Sequence, residues 1–279
     1  MQEEKILSAV TSADKQPLAL IAGEGSLPKI VCETALKRGI PVVAVAFSKK
    51  GASQLEGMAD VRVMGVGEAE KVIALFRDKG CKNICLIGKM EKKLVFENAR
   101  FDFRALKVLG RLLRKDDSSI MRAIMSELES EGFVIEKQTD WLPPVMASGG
   151  VLGKCQPSEA MRADFEFGIK ICRQMADLEI GQTIIVKQGV VLAVEGVEGS
   201  NEAIERGCKL GGEGTVLIKA GRPSQDKRFD IPTVGEETVR RLKKGRGAGL
   251  AVEAGNVIVV DLPEVVAACD AAGIALAAI

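Results

Sequence analysis

One loop of the sequence combines acidic and basic side chains in a way that suits phosphate chemistry. Residues 225–233 read QDKRFDIPT, in which Asp226 and Asp230 are separated by Lys227, Arg228 and a phenylalanine. Carboxylates bind Mg²⁺ or orient a water molecule, whereas lysine and arginine neutralise a polyphosphate. Charged loops are also common on solvated surfaces, so the pattern alone leaves both interpretations open.

A second group of polar residues follows the predicted strands of the second half. Glu195 ends an apolar strand, Glu198 lies in the turn before a helix, and Lys219 ends the next strand. We expect these residues to converge at one edge of a sheet. The chain contains 0 histidines. Any acid-base or metal chemistry therefore falls to carboxylates, with lysine and arginine in support.

Two glycine turns are candidate phosphate contacts in the first half. Residues 23–28 (GEGSLP) join a predicted strand to a helix, and Gly88 and Lys89 follow a later strand. Free N–H groups at such a turn suit a phosphate, although tight packing explains a glycine turn equally simply. The third glycine of a dinucleotide fingerprint is replaced by Pro28, and no acid ends the strand at residues 41–47. Both departures argue against a redox cofactor.

Apolar runs and turn residues predict an α/β fold in both halves of the chain. In the first half, predicted strands at 17–22, 41–47, 60–64 and 83–87 alternate with helices at 27–38 and 68–79, which indicates a parallel sheet. Two helices are expected within 102–131, with Asp117 or Ser118 as a cap. The second half is predicted to contain helices at 158–178, 201–210, 236–243 and 263–272, a hairpin at 183–195, strands at 215–219, 250–252 and 257–260, and an irregular segment at 220–233.

These elements predict two domains. We expect a polar lead-in at 1–16, a parallel α/β domain at 17–137, a linker at 138–157 and a second α/β domain at 158–279. The linker is predicted from its prolines, glycines and single tryptophan, with the domain boundary near residue 148.

Composition excludes several classes of protein. The net charge of +1 argues against a nucleic-acid partner, and the 7 cysteines form no CxxC pair, so they are expected to be reduced core residues. The acidic N-terminus does not resemble a signal peptide, and no stretch approaches the ~20 apolar residues of a membrane span. We therefore expect a cytoplasmic protein.

Four motifs, taken in order, carry a family resemblance. They are residues 21–28 (IAGEGSLP), 177–182 (DLEIGQ), 191–199 (VLAVEGVEG) and 225–235 (QDKRFDIPTVG). In sequence and spacing they resemble the UDP-2,3-diacylglucosamine pyrophosphatase family of lipid A biosynthesis, from about residue 17 to the C-terminus. The resemblance implies a Mg²⁺-dependent hydrolase that releases UMP and 2,3-diacylglucosamine 1-phosphate. It also implies a Rossmann-like nucleotide-binding domain at 17–137, joined by the linker at 138–157 to a distinct catalytic domain at 158–279.

The resemblance assigns roles to individual residues. Asp230 matches the aspartate of the family motif R-x-D-[LI]-P-T, whose loss abolishes activity in the family. The predicted catalytic residues are Asp230, Asp226 and Glu195, and the predicted Mg²⁺ ligands are Asp230 and Asp226. The predicted substrate-binding residues are Gly25, Ser26, Leu27, Gly88, Lys89, Asp117, Gln182, Ser200, Lys219 and Arg228. A carboxylate acting as general base needs a raised pKa, which partial burial would supply.

One departure from the family pattern concerns the turn after Glu195. Where the family commonly has Glu-Gly-Thr-Asp, residues 198–201 read EGSN, which keeps a hydroxyl at Ser200 and removes a carboxylate at Asn201. Loss of a metal ligand there would put activity in doubt, whereas a helix-capping role would survive the change. The departure keeps open a non-catalytic module that binds nucleotide-sugars or lipids. A nucleotide-cofactor enzyme using the Gly23–Gly25 turn is the other alternative.

The expected partners follow from the resemblance and from two basic runs. The substrate is a lipid-linked UDP-sugar, so a peripheral position on the inner face of the cytoplasmic membrane is expected. Residues 111–115 (RLLRK) and 240–246 (RRLKKGR) could contact anionic headgroups, although a solvated basic face explains either run more simply. Homodimer formation is left open.

Overall fold

The structure, a computed structural model, describes residues 15–89, 101–110 and 117–279. The chain divides into two compact units. The first unit ends at Leu142, and the second begins at Pro143. This division lies inside the predicted linker and earlier than the boundary expected near residue 148. Most of the predicted lead-in at 1–16 and the basic run at 111–115 lie outside the described residues.

The first unit is a parallel sheet with intervening helices, as predicted. Its elements are β1 (Leu18–Ala22), α1 (Leu27–Lys37), β2 (Val42–Ala46), α2 (Lys49–Ser53), β3 (Asp60–Val63), α3 (Ala69–Asp78), β4 (Asn83–Ile87), α4 (Phe103–Gly110), α5 (Asp117–Ser130), β5 (Val134–Ile135) and α6 (Gln138–Trp141). The five strands have the order β3-β2-β1-β4-β5, and every pair is parallel. Continuous apolar strands such as β2, which is buried throughout, are typical of a sheet covered on both faces.

The two glycine turns meet where the strand order reverses. This point lies beyond the carboxyl ends of β1 and β4, where open α/β sheets bind ligands. Glu24 and Lys89 exchange two backbone hydrogen bonds of 2.8 Å. A Cβ atom on Gly88 would lie 2.7 Å from the carbonyl carbon of Gly23, and the φ of Gly88 is +101°. Glycine is therefore required at position 88 by both backbone conformation and close approach.

The first part of the predicted linker is folded into the first unit. Trp141 is 5 % exposed, and the guanidinium of Arg38 lies 4.8 Å from its ring centroid. The side-chain Nε2 of Gln138 donates a 2.7 Å hydrogen bond to the carbonyl of Leu86. The prediction of a linker at 138–157 is wrong for these residues because an aromatic ring and an amide are buried against the unit. The linker was predicted from the proline and glycine content of the segment, which does not show that Gln138 and Trp141 are packed against the first unit.

The second unit is a mixed sheet flanked by helices. After a short 3₁₀ helix (Pro143–Val145), its elements are β6 (Gly150–Val151), α7 (Glu159–Asp177), β7 (Thr183–Lys187), β8 (Val190–Val194), α8 (Ser200–Gly211), β9 (Val216–Lys219), β10 (Thr233–Val234), α9 (Glu236–Lys244), β11 (Gly249–Val252), β12 (Ile258–Val259), α10 (Leu262–Ala272) and β13 (Ala275–Ala278). The main sheet has the order β6-β13-β11-β9-β7-β8, and β10 pairs with β12 separately. The α/β fold class predicted for both halves is confirmed.

The hairpin and the irregular segment of this unit also follow the prediction. The turn between β7 and β8 places Gln188 and Gly189 at positive φ, 51° and 73°. The buried carboxylate of Asp164 accepts hydrogen bonds from both of their backbone N–H groups. Residues 220–232 contain no helix or strand, and turn-type backbone bonds such as Gln225 N to Arg222 O at 3.0 Å hold the loop that carries Asp226 and Asp230, together with side-chain contacts. The terminal strand β13, which pairs with β11, was not predicted.

Candidate functional site

The candidate site is a polar pocket of about 410 Å³ in the second unit. It lies where the start of β7, the end of β9, the start of α8 and the loop before β10 come together. The lining residues are Gln182, Thr183, Glu198, Gly199, Ser200, Asn201, Ile204, Leu217, Lys219, Asp230, Ile231, Pro232, Thr233 and Thr238. Gln182, Ser200, Lys219 and Asp230 are thus brought together from four segments distant in sequence.

Lys219 supplies a buried positive charge to this pocket. It is the last residue of β9 and pairs with Thr183 in the antiparallel register of β7 and β9. Its side chain is 9 % exposed. The Nζ atom donates hydrogen bonds of 2.9 Å to Thr183 Oγ1 and 2.7 Å to Ser200 Oγ. Burial lowers the pKa of Lys219, and the nearby Glu195 carboxylate limits the fall.

Glu195 is the counter-ion of Lys219, at a Nζ to Oε2 distance of 4.0 Å. Ser200 Oγ donates a 2.7 Å hydrogen bond to Oε1, and the backbone N–H of Gln182 donates one of 3.1 Å to Oε2. Burial raises the pKa of Glu195, but the Lys219 charge and these hydrogen bonds together lower it below its ordinary value. These partners favour the charged form of Glu195, whereas a general base needs a raised pKa. Its catalytic role stays a prediction.

The start of α8 forms one wall of the pocket. Gly199 is the residue before the helix, with φ of 85°, and Ser200 and Asn201 follow in its first turn. No side chain caps the helix. The suggestion that Asn201 keeps a capping role is therefore wrong, because Gly199 occupies the cap position. Asn201 instead lines the pocket with an amide where the family commonly has a carboxylate.

Asp230 brings a carboxylate to the lining of the pocket. Its backbone has φ of 53°, a left-handed conformation that is uncommon for a residue other than glycine. The flanking Phe229 and Ile231 are buried, whereas the Asp230 side chain is 58 % exposed. The guanidinium of Arg222, which also pairs with Glu179, lies 3.6 Å from Asp230 Oδ2. Burial on both sides thus holds a strained residue with its carboxylate accessible.

Asp226 and Arg228 are bound to each other. Arg228 donates from Nε at 2.9 Å to Asp226 Oδ1 and from Nη2 at 2.7 Å to Oδ2. Its backbone N–H also donates to Oδ1 at 3.0 Å. Neither residue lines the pocket. The two side chains form a two-point ion pair that shapes the loop. The roles of Asp226 as a metal ligand and of Arg228 as a substrate contact stay predictions.

The remaining predicted residues belong to the first unit. Gly25, Ser26, Leu27, Gly88 and Lys89 lie at the point where its strand order reverses. Gly25 has φ of 106°, and a Cβ there would meet no atom within 4 Å. The hydroxyl of Ser26 is buried and has no hydrogen-bond partner among the described residues. Asp117 begins α5, and its side chain lies outside the described residues. Their roles stay predictions.

The described residues contain neither a cluster of metal-binding side chains nor a membrane-spanning helix. In those ranges no three acidic or cysteine side chains gather as a metal cluster, and no helix is long and apolar enough to cross a membrane. In the basic run at 240–246, Arg240 and Arg241 both bond Glu237, and Arg241 also bonds Glu205. These pairs reduce the charge that the run could offer to lipid headgroups.

Several residues of the site were missed from the sequence. Thr183 could have been found, because it opens a predicted strand and would lie opposite Lys219 in an antiparallel pair. Thr233 and Thr238 also line the pocket, and Arg222 approaches Asp230. Their roles depend on how the irregular segment folds back, which carries no periodic signal.

The fold and the site together are those of a two-unit α/β protein with a pocket suited to phosphate binding. A Rossmann-like unit is followed by a mixed α/β unit whose pocket combines a buried lysine, hydroxyl groups, a helix start and an accessible carboxylate. This donor set is suited to binding and activating a phosphate group.

Comparison with known proteins identifies the family. The LpxI N-terminal domain model matches residues 17–145, and the LpxI C-terminal domain model matches residues 148–277. The UDP-2,3-diacylglucosamine pyrophosphatase LpxI of Caulobacter vibrioides is 34% identical over 275 residues, covering 92% of this chain and 95% of the relative. The chain belongs to the LpxI family, and the resemblance read from the sequence is confirmed.

Solved structures add little to this assignment. N5-carboxyaminoimidazole synthetase from Staphylococcus aureus is 14% identical and covers 70% of this chain and 44% of its own, with a TM-score of 0.25. The biotin carboxylase domain of the Hydrogenobacter thermophilus 2-oxoglutarate carboxylase is 17% identical, with a TM-score of 0.25. That match covers 62% of this chain and 35% of the carboxylase chain. The chain spans less than half of either protein. Likeness at this level carries no argument about fold or function.

The ion pair of Glu195 and Lys219 yields a stability prediction. Glu195→Gln leaves Lys219 buried without its counter-ion, so we expect the free energy of unfolding at pH 7 to fall by about 3 kcal/mol. The pKa of Glu195 is lower in the folded chain than its ordinary 4.5. Its stabilising contribution is therefore present above pH 4.5 and is lost as pH falls through the folded pKa. Urea unfolding followed by far-UV circular dichroism measures both effects.

Glu198→Gln is the matched control for this experiment. Glu198 lies three residues away, and its pair with Arg206 has side chains 33% and 47% exposed. Exposed pairs contribute little, so the control should unfold nearly as the wild type does. Equal stability of Glu195→Gln and the wild type at pH 7, or a difference that persists below the folded pKa, would contradict the assignment.

Proposed function

We propose that the chain hydrolyses the pyrophosphate bond of UDP-2,3-diacylglucosamine, releasing UMP and 2,3-diacylglucosamine 1-phosphate. The observation that carries this proposal is the pocket that sets buried Lys219 against the accessible carboxylate of Asp230. Family membership and the name of the Caulobacter relative support the choice of substrate. In the reaction, water attacks one phosphorus, the bridging P–O bond breaks, and a proton is released.

Lys219 and the start of α8 act on the charged part of the substrate. The negative charge of a pyrophosphate rises on its oxygens as the bridging bond breaks. A desolvated ammonium stabilises such charge more strongly than one in water, because little solvent screens it. The backbone N–H groups after Gly199 add hydrogen-bond donors at the same wall. Glu195 keeps Lys219 charged and in place.

Asp230 is the predicted catalytic carboxylate that lines the pocket. Its carboxylate is 58 % exposed beside Arg222 and can orient the attacking water or hold a metal ion. Glu195 is paired with Lys219, and Asp226 is paired with Arg228. The left-handed backbone presents this carboxylate while the neighbours remain buried, which keeps its position defined.

The donor set of the pocket fits a Mg²⁺ ion. In proteins this ion is typically bound by one or two carboxylates together with substrate phosphates and water. Asp230 would provide the carboxylate, and the side-chain oxygens of Thr233 and Asn201 line the same pocket. When bound, Mg²⁺ would neutralise the pyrophosphate and polarise its phosphorus.

Peripheral contact with a membrane is part of the proposal, since the substrate carries two acyl chains. Its support is the lipid nature of that substrate rather than the paired basic run at 240–246. Sedimentation with anionic liposomes tests it, and absence of co-sedimentation at low salt would remove it.

The charge of Asp230 should be needed for turnover. Asp230→Asn keeps the size and the tolerance of left-handed backbone but removes the charge, so we expect UMP release to fall at least about 100-fold. Asp261→Asn is the matched control, because Asp261 is also left-handed, with φ of 52°, and lies outside the pocket. Near-normal turnover by Asp230→Asn would remove Asp230 from its role. Tight substrate binding by the wild type without UMP release would favour a binding module.

The second prediction concerns the metal. Chelation with EDTA should abolish UMP release, and added Mg²⁺ should restore it, because the pocket contributes few carboxylates and needs a cation to neutralise the substrate. The control is the unfolding curve with and without EDTA, which should not change enough to explain the loss. Full turnover in EDTA would show that the protein cations alone are sufficient.

A further inference from the structure

The side chain of Gln225 connects the Asp230 loop to the rest of the site. Its Nε2 atom donates to the carbonyl of Asp230 at 3.0 Å and to that of Phe229 at 3.4 Å. Its Oε1 atom accepts from Gln182 Nε2 at 3.3 Å and from Arg222 Nε at 3.4 Å. A glutamine amide offers two N–H donors and one oxygen with two lone pairs. All of this capacity is therefore engaged by three different parts of the unit.

The backbone at Asp230 needs such a restraint. A residue other than glycine in the left-handed region is strained, and it persists there only where the surroundings fix the conformation. Phe229 and Ile231 anchor the chain on either side by burial. The amide of Gln225 holds the carbonyls of Phe229 and Asp230 themselves, which sets the planes of the two peptides that follow these residues.

The other end of the amide is tied to the lysine network. The backbone N–H of Gln182 donates to Glu195, and its carbonyl accepts from Ala220 N at 3.1 Å. Ala220 directly follows Lys219. Gln182 is thus fixed relative to the buried ion pair, and Gln225 is bonded to Gln182. A continuous path of hydrogen bonds runs from the Lys219 side of the pocket to the backbone of Asp230.

We propose that Gln225 is a positioning residue, which sets the Asp230 carboxylate relative to Lys219 through the hydrogen bonds of its amide. The inference rests on the proposed function, since it concerns the same reaction. Gln225 does not line the pocket, so it acts through Asp230 rather than on the substrate. Its loss should weaken the chemical step more than substrate binding, because the pocket walls remain while one reacting group moves.

The test compares two substitutions of glutamine by methionine. Gln225→Met keeps the length of the side chain and removes its hydrogen bonds. We expect kcat for UMP release to fall at least about 10-fold with KM within about twofold. Gln138→Met is the matched control, since the Gln138 amide also donates to a backbone carbonyl but lies in the first unit. It should leave kcat unchanged while lowering the stability of that unit, measured by the fluorescence of Trp141.

Amide hydrogen exchange provides a readout that does not depend on turnover. In Gln225→Met, exchange in residues 226–231 should accelerate while that of β9 stays as in the wild type. Wild-type kcat with unchanged exchange would overturn the proposal, as would a loss of activity explained by global unfolding. If the wild type releases UMP and Asp230→Asn does not, an unaffected Gln225→Met refutes the positioning role alone. If the wild type does not release UMP, the proposed function fails as well.

Discussion

The site depends on one buried ion pair. Lys219 and Glu195 lie 4.0 Å apart, with side chains 9% and 16% exposed, and the hydroxyls of Ser200 and Thr183 complete their hydrogen bonding. Burying two charges is costly unless each is well paired. A desolvated positive charge of this kind would bind a phosphate strongly. The start of β7, the end of β8 and the end of β9 place the residues that form the pair and its hydrogen bonds.

The second constraint is the conformation of Asp230. A lysine alone would bind an anion, and in the proposed reaction the carboxylate of Asp230 would orient the attacking water. The loop supplies it by burying Phe229 and Ile231 and accepting a left-handed residue between them. Gln225 and Arg222 then fix that residue from within the loop. The first unit places its own glycine turns at the reversal of its strand order, where a nucleotide commonly binds in such folds.

Much of this could be predicted because it depends on local patterns. Apolar runs between glycine turns identified β1, β2 and β4, and Gly189 identified the hairpin. The strand β13 was missed because its short run of alanine and leucine (ALAA) carries no strand-specific signal. The ion pair between Asp226 and Arg228, two residues apart, was not predicted because the spacing of the two residues does not show how the loop folds. Gln225 contacts Gln182 across 43 positions, and only the folded chain brings them together.

The double variant Lys219→Met/Glu195→Gln tests the central claim most directly. It removes both charges together, so neither partner is left buried and unpaired, and replacement of a buried pair by uncharged side chains is often neutral for stability. The decisive measurement is kcat/KM for UMP release at saturating Mg²⁺, with circular dichroism to show that the variant is folded. The account predicts a folded protein with kcat/KM reduced at least about 100-fold. A folded double variant with wild-type kcat/KM would contradict it.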